Sequence, residues 1–186
     1  MLLNIKTRQK YLKELGFYTG LIDGVAGQKT RAAYLDLQEK YFSRWADRDG
    51  KYGKNTDILL RNAYAVHTYT DNFKLEEFKC KCDGKYCTGY PSLLDSQLLI
   101  NLQTMRKNFG PINIMSGLRC LEHNASIGGA SASRHKNGKA ADIQCQKTHS
   151  KDGRKAVMDM WKRLPKYRYT YADTAGMGES VHVDVR

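Results

Sequence analysis

Two stretches of this chain constrain its fold more than any others. Residues 133–143 read Ser-Arg-His-Lys-Asn-Gly-Lys-Ala-Ala-Asp-Ile, and residues 179–184 read Glu-Ser-Val-His-Val-Asp. His135 and Asp142 stand at the two ends of a glycine-containing loop that runs into an apolar segment, Ala140 to Cys145, which reads as a buried strand. His182 lies in the alternation Val181-His182-Val183-Asp184-Val185. On a strand the valines face one way, and His182 and Asp184 the other. Two such strands side by side bring His135, Asp142 and His182 together. Two imidazoles and a carboxylate form an open zinc set: three protein ligands with a fourth position left for water.

Such a zinc ion remains a Lewis acid and lowers the pKa of bound water to about 7. A general base is still needed to move the proton. Glu179 is three residues before His182, an offset that faces the wrong side of an ideal strand. Gly176-Met177-Gly178 predicts a turn there that swings Glu179 toward the metal, against the plainer reading of a surface carboxylate. Asp184 shares a face with His182 and is either the acceptor that orients its imidazole or half of a surface salt bridge. Arg119 offers a planar, permanently charged fork suited to a carboxylate or an oxyanion, or to a surface ion pair. Ser133 is expected to hydrogen-bond near the metal loop, not to act as a nucleophile. His67, His123 and His149 belong to no constellation and read as structural or solvated.

In this order the pieces resemble a known family. Ser-x-His, six residues, Asp, and a late Glu-x-x-His resemble the zinc D-Ala-D-Ala carboxypeptidases and L-alanyl-D-glutamate peptidases that cut peptidoglycan stem peptides, a domain used by phage endolysins. Ser116-Gly117-Leu118-Arg119 is similar to that family's Ser-Gly-x-Arg segment. The resemblance covers roughly residues 72–186. It implies His135, Asp142 and His182 as zinc ligands, Glu179 as catalytic base, and Arg119 as the group that steadies the substrate carbonyl or carboxylate.

An internal repeat organises the first sixty-odd residues. Asp23-Gly24-Val25-Ala26-Gly27-Gln28-Lys29-Thr30 recurs as Asp49-Gly50-Lys51-Tyr52-Gly53-Lys54-Asn55-Thr56. Each copy is a turn, with Asp and Gly shaping the bend and polar residues capping the helix that follows. Helical faces are predicted over residues 5–15, then through Ala32, Ala33, Leu35, Leu37 and Phe42, and again through Ile58, Leu59, Ala63 and Val66. The segment Leu15-Gly16-Phe17-Tyr18-Thr19-Gly20-Leu21-Ile22-Asp23-Gly24, followed by Thr30, resembles the three-helix peptidoglycan-binding module of wall hydrolases over residues 4–65. Leu37-Gln38 stands where that module usually has Phe-Gln, and residues 39–48 are unusually basic and aromatic. A plain helical bundle with no ligand is the alternative.

The expected organisation is therefore α+β: a three-helix domain at 1–66, a polar linker at 67–75, and a zinc peptidase domain with an antiparallel sheet at 76–186. In the third part we expect helices at Ser92–Lys107 and Asp152–Leu164. Short strands are expected at Ile112–Met115, Arg168–Ala172 and Ser180–Val185. Cys80, Cys82, Cys87 and Cys120 leave three readings open: a second metal site, free buried thiols, or a disulfide formed after release.

A net charge of +12 suggests an anionic partner. The excess is spread: residues 1–66 carry 12 basic and 7 acidic residues, the remainder 19 and 12. No base-reading motif appears, so nucleic acid is not expected, nor is a membrane, since no eighteen-residue apolar run exists. Bacterial peptidoglycan is the expected partner, and the protein is expected to act as a monomer. The start of the chain lacks a signal-peptide core. An endolysin made in the host cytoplasm and then released to the wall fits that expectation. Within the resemblance, L-alanyl-D-glutamate cleavage is expected ahead of D-Ala-D-Ala trimming, and a non-catalytic wall-binding protein is the third reading.

Overall fold

The computed structural model describes all residues 1–186. The repeat builds the first layer. Helix α1 (Ile5–Glu14) starts at Asn4, whose side chain accepts from the Thr7 amide at 2.9 Å. Helix α2 (Gln28–Tyr41) and helix α3 (Lys54–Tyr69) each follow one Asp-Gly turn. Both turns are organised by a buried glutamine from the preceding helix. Gln9 Nε2 donates to Asp23 Oδ1 at 2.7 Å and to the Val25 carbonyl at 3.1 Å, while its Oε1 accepts from the Gly24 amide at 2.9 Å. Gln38 repeats the pattern, donating to Asp49 Oδ1 at 3.2 Å and the Lys51 carbonyl at 3.0 Å, and accepting from the Gly50 amide at 2.8 Å. Each amide thus satisfies backbone groups that would otherwise be stranded in the turn.

The second layer is mixed. Helix α4 (Ser96–Phe109) leads to strand β1 (Asn113–Ser116), then short helix α5 (Leu121–Ser126) and strand β2 (Ala140–Gln144). Helix α6 (Lys151–Trp161) and strands β3 (Tyr167–Tyr171) and β4 (Val181–Val185) follow. The strands form one antiparallel sheet in the order β1-β2-β4-β3. Ala141, Ile143, Val181, Val183 and Val185 are buried with Trp161 of α6, whose indole N–H donates to the Asp184 carbonyl at 3.1 Å. The opposite face carries Asp142, His182 and Asp184. The mixed helix and antiparallel-sheet class expected from the sequence is what is observed.

Two expectations need correction. Residues 67–75 are not a free polar linker. α3 continues to Tyr69, the Thr70 hydroxyl closes it by donating to the Val66 carbonyl at 2.7 Å, and Phe73 and Leu75 are buried. One continuous apolar core runs from Leu12 to Val185, so the N-terminal helices pack on the rest without a gap. Helix α4 begins at Ser96, not Ser92. Asp95 caps it by accepting from the Gln97 amide at 2.8 Å. Asn62 of α3 holds the preceding residues extended: its amide donates to the Ser92 carbonyl at 2.9 Å and its oxygen accepts from the Leu94 amide at 2.8 Å. A tertiary partner decides that boundary. No helix is long and apolar enough to cross a membrane.

Candidate metal centre

The β2–β4 register places Asp142 directly opposite His182. His135 comes from a short turn (Arg134–Asn137) just before β2. Gly138 ends that turn with φ +67°, and a Cβ there would lie 1.9 Å from the Leu93 carbonyl oxygen. Only glycine lets the chain make this left-handed bend so close to its neighbour. The three groups converge: His182 Nδ1 is 2.8 Å from Asp142 Oδ1, His135 Nε2 is 3.3 Å from the same oxygen, and the two nitrogens are 3.3 Å apart. Ligands at about 2.0–2.1 Å around a tetrahedral zinc would stand about 3.3 Å from one another, so the triangle fits.

The tautomers agree. His135 Nδ1 lies 2.7 Å from the Gly117 carbonyl, which can only accept, so Nδ1 carries the proton and the Nε2 lone pair faces the centre. His182 Nε2 lies 3.5 Å from Asp184 Oδ2, so the Nε2 proton faces a carboxylate whenever Nδ1 gives its lone pair to a metal. Asp184 is therefore the orienting acceptor; its carboxylate also takes Arg168 Nη1 at 3.3 Å, while its Oδ1 is buried without a partner. Tyr171, opposite His182 in the β3–β4 register, stacks on the imidazole with ring centres 4.6 Å apart. With a proton in place of a metal on the inward nitrogens, burial would raise the Asp142 carboxyl pKa, but hydrogen bonds from the protonated His135 and His182 rings hold it well below the usual carboxylate range. For His182, burial works against the charged ring, yet Asp142 and Asp184 carry its pKa above the ordinary value.

Arg119 sits differently from the simplest expectation. Its Nη2 donates to Asp142 Oδ2 at 2.6 Å and its Nε to the Ser116 hydroxyl at 2.8 Å. The guanidinium holds the ligand carboxylate while still lining the cleft beside it. Gly117 is glycine for a packing reason: a Cβ would meet the Phe78 backbone at 2.6 Å. Glu179 is not brought to the three ligands. Its carboxylate pairs with His149 Nδ1 at 2.5 Å, both side chains being exposed. Gly178 and Ser180, on either side of it, line the cleft, so Glu179 stands at the rim. Ser133 makes no side-chain hydrogen bond; its carbonyl accepts from the Lys136 amide at 3.3 Å. The cleft holds about 610 Å³ and is bordered by Lys81, Met115, His123, Gln144 and Tyr171. Sequence reasoning missed Tyr171, the Gly117 carbonyl and the rim position of His123. Only Tyr171 left a sequence signal, as an aromatic on a strand beside the last one.

The model of the family described as Peptidase M15 matches residues 71–184, a span that contains every ligand and both orienting groups. The chain belongs to the peptidase M15 family. A zinc D-Ala-D-Ala carboxypeptidase from Streptomyces albus G is 31% identical over 129 residues, which is 66% of this chain and 49% of that protein. The chain thus spans about half the length of the curated relative it matches. At the level of the family, the zinc metallopeptidase expected from the sequence stands, and the matched span contains the His135–Asp142–His182 cluster, whose ligand atoms lie close enough together to hold a metal ion.

Proposed function

We propose that this M15 protein is a zinc peptidase that hydrolyses the stem peptide of bacterial peptidoglycan at the L-alanyl–D-glutamate bond. The observation that carries this reading is the His135–Asp142–His182 triangle, its lone pairs aimed inward by Gly117 and Asp184, beside an open cleft. When bound there, zinc supplies Lewis-acid polarisation of the scissile carbonyl and activation of water.

The chain's own groups do the rest. Arg119, itself held by the Ser116 hydroxyl, fixes the Asp142 carboxylate. Tyr171 and Asp184 fix His182. We assign Glu179 as the base that takes a proton from the attacking water and passes it to the leaving amine nitrogen, reached from its rim position between Gly178 and Ser180. Lys81 supplies a cation at the cleft for the carboxylate of the leaving residue.

The N-terminal helices are proposed to hold the polymer. A groove of about 640 Å³ runs between the two repeat copies, lined by Arg8, Arg31 and Lys51 with Tyr34 and Tyr52. Arg8 stacks over Tyr52 at 3.8 Å, a surface suited to an anionic, sugar-rich chain. On this reading the protein is a phage endolysin, made in the host cytoplasm and acting on the wall once released.

The identity to a D-Ala-D-Ala carboxypeptidase favours a second reading, trimming of the terminal D-alanine. Both substrates carry a free carboxylate on the leaving residue, so products must separate them. Purified peptidoglycan digested with the protein should yield new N-terminal D-glutamate, an activity lost on chelation and restored by zinc. Released D-alanine would replace the first reading with the second. Digestion untouched by chelation would overturn both.

A further inference from the structure

Four cysteines remain outside the peptidase centre. Cys80, Cys82 and Cys120 are buried, Cys87 is half-buried, and none is disulfide-bonded. They form a cluster of their own, apart from the main core. Cys80 Sγ is 3.8 Å from Cys120 Sγ, Cys82 Sγ is 3.5 Å from Cys87 Sγ, and all four sulfurs lie within 4.8 Å of one another. Four thiolates at about 2.3 Å around one tetrahedral ion would stand about 3.8 Å apart. Cysteines packed merely as small hydrophobes have no reason to converge from two separate segments onto one point.

Backbone donors point at the sulfurs as well. The Cys120 amide donates to Cys80 Sγ, the His123 amide to Cys120 Sγ and the Gly89 amide to Cys87 Sγ, each at 3.4 Å. Such donors stabilise sulfur best when it carries charge. A divalent ion held by four thiolates leaves an excess of negative charge, and the surroundings are cationic. Lys79 and Lys81 alternate with Cys80 and Cys82, Lys85 lies two residues before Cys87, and Asp83 is the one acidic residue among them; the Arg44 stem packs on the loop at Gly84, 3.0 Å from where a Cβ would stand. Residues 81–89 form only turns and bends, with Asp83 and Gly84 in left-handed conformation. A segment with so little regular structure gains its order from a cross-link.

We infer that Cys80, Cys82, Cys87 and Cys120 bind a second, structural zinc ion as a closed tetrathiolate site. All four positions are filled by protein, as structural sites require, with none left for substrate. The ion fastens three parts of the molecule. Cys120 directly follows Arg119, which holds Asp142. Lys81, between Cys80 and Cys82, borders the cleft. The same loop reaches the N-terminal helices through the Ser43 amide, which donates to the Thr88 carbonyl at 2.9 Å, and through Tyr90 against Tyr41.

The inference is independent of the peptidase reading, and zinc counting separates the two. Full-length protein purified in reductant should contain two zinc ions per chain by elemental mass spectrometry. His135→Ala and Cys87→Ser should each retain one, and Cys145→Ala, altering the buried cysteine outside the cluster, should retain two. Cobalt-loaded His135→Ala should show the intense thiolate-to-cobalt charge-transfer band, and cobalt-loaded Cys87→Ser should lack it. Should Cys87→Ser fail to fold, titrating wild-type thiols with an organomercurial while following zinc release keeps the test open: one ion should leave per four thiols modified. A single zinc that disappears in His135→Ala, or a reduced protein whose thiols all react without releasing metal, would overturn the tetrathiolate site. A wild-type protein that holds one zinc in total, and keeps it in His135→Ala, would support it and sink the peptidase centre instead.

Discussion

The most informative single change is Asp184→Asn. Asp184 is 2% exposed; Oδ2 lies 3.5 Å from His182 Nε2 and 3.3 Å from Arg168 Nη1, and Oδ1 has no partner. Removing a carboxylate that orients a ligand imidazole costs about 10–100-fold in metal affinity, or roughly 1.4–2.7 kcal/mol. Here the contact is long, and the asparagine oxygen can still accept from the ring. The expected loss is therefore near the lower end, about tenfold. Folding stability should not follow it down, because a neutral amide relieves the burial of a half-partnered charge. The assay is zinc competition against a calibrated chelator at neutral pH, with thermal unfolding of the metal-free protein alongside. Asp184 also raises the pKa of His182, so a proton competes harder with zinc in the wild type. The deficit of the variant should narrow as pH falls through that raised value. Affinity within about twofold of wild type, or a loss mirrored in metal-free stability, would refute the orienting role; the twofold margin is well inside the range expected for such partners.

The other expectations concern proton transfer, the ligand loop and its support. Glu179→Gln should lower turnover by about 10²–10⁴-fold and leave zinc content unchanged, measured on peptidoglycan fragments; wild-type turnover would return Glu179 to its pairing with His149. Zinc affinity of the wild type should fall by about tenfold for each pH unit below the raised His182 pKa, since metal and proton compete for Nδ1; isothermal titration across mildly acidic pH checks the slope. Gly138→Ala should destabilise by more than about 2 kcal/mol, combining φ +67° with a Cβ 1.9 Å from the Leu93 carbonyl, read by denaturant unfolding. Asn62→Ala strands the Leu94 amide and the Ser92 carbonyl and should cost about 1–3 kcal/mol with a measurable loss of zinc affinity; unaltered zinc affinity would confine Asn62 to a role in stability.

Much of the site was legible because its chemistry is local to two short patterns. The strand alternation fixed which way His182 and Asp184 point, and the glycine loop fixed His135 against Asp142. Groups whose partner lies far along the chain were not legible. Arg119 reads as a free fork until the β1–β2 register brings Ser116 opposite Asp142. Gln9 and Gln38 look like unremarkable helix residues, and only the folded turns reveal that each satisfies a turn's backbone. Strand parity pointed Glu179 away from the centre, and the turn expected to swing it back to the metal, with the glycines at 176 and 178 both at positive φ, instead pairs it with His149. The supposed linker misled because polar residues outnumber apolar ones there, while Phe73 and Leu75 are buried in the core and Gln103 bonds to Asp71 and Asn72.

That shared core gives the N-terminal helices a physical route to the metal ligands. Asn62 belongs to α3, which the second repeat turn starts. It clamps the backbone on either side of Leu93, whose carbonyl lies against Gly138. The Asp95 amide donates to the Gly138 carbonyl at 2.9 Å, completing the grip on the loop between His135 and Asp142. On the opposite flank, the 80–90 loop bonds to Ser43 after α2 and reaches Cys120 beside Arg119. A ligand triangle tolerates only a few tenths of an ångström of drift before a tetrahedral ion is lost. Two independent clamps from the helical layer, one on each side of the centre, supply that precision. The helices therefore brace the proposed metal centre, whether or not they also bind the polymer.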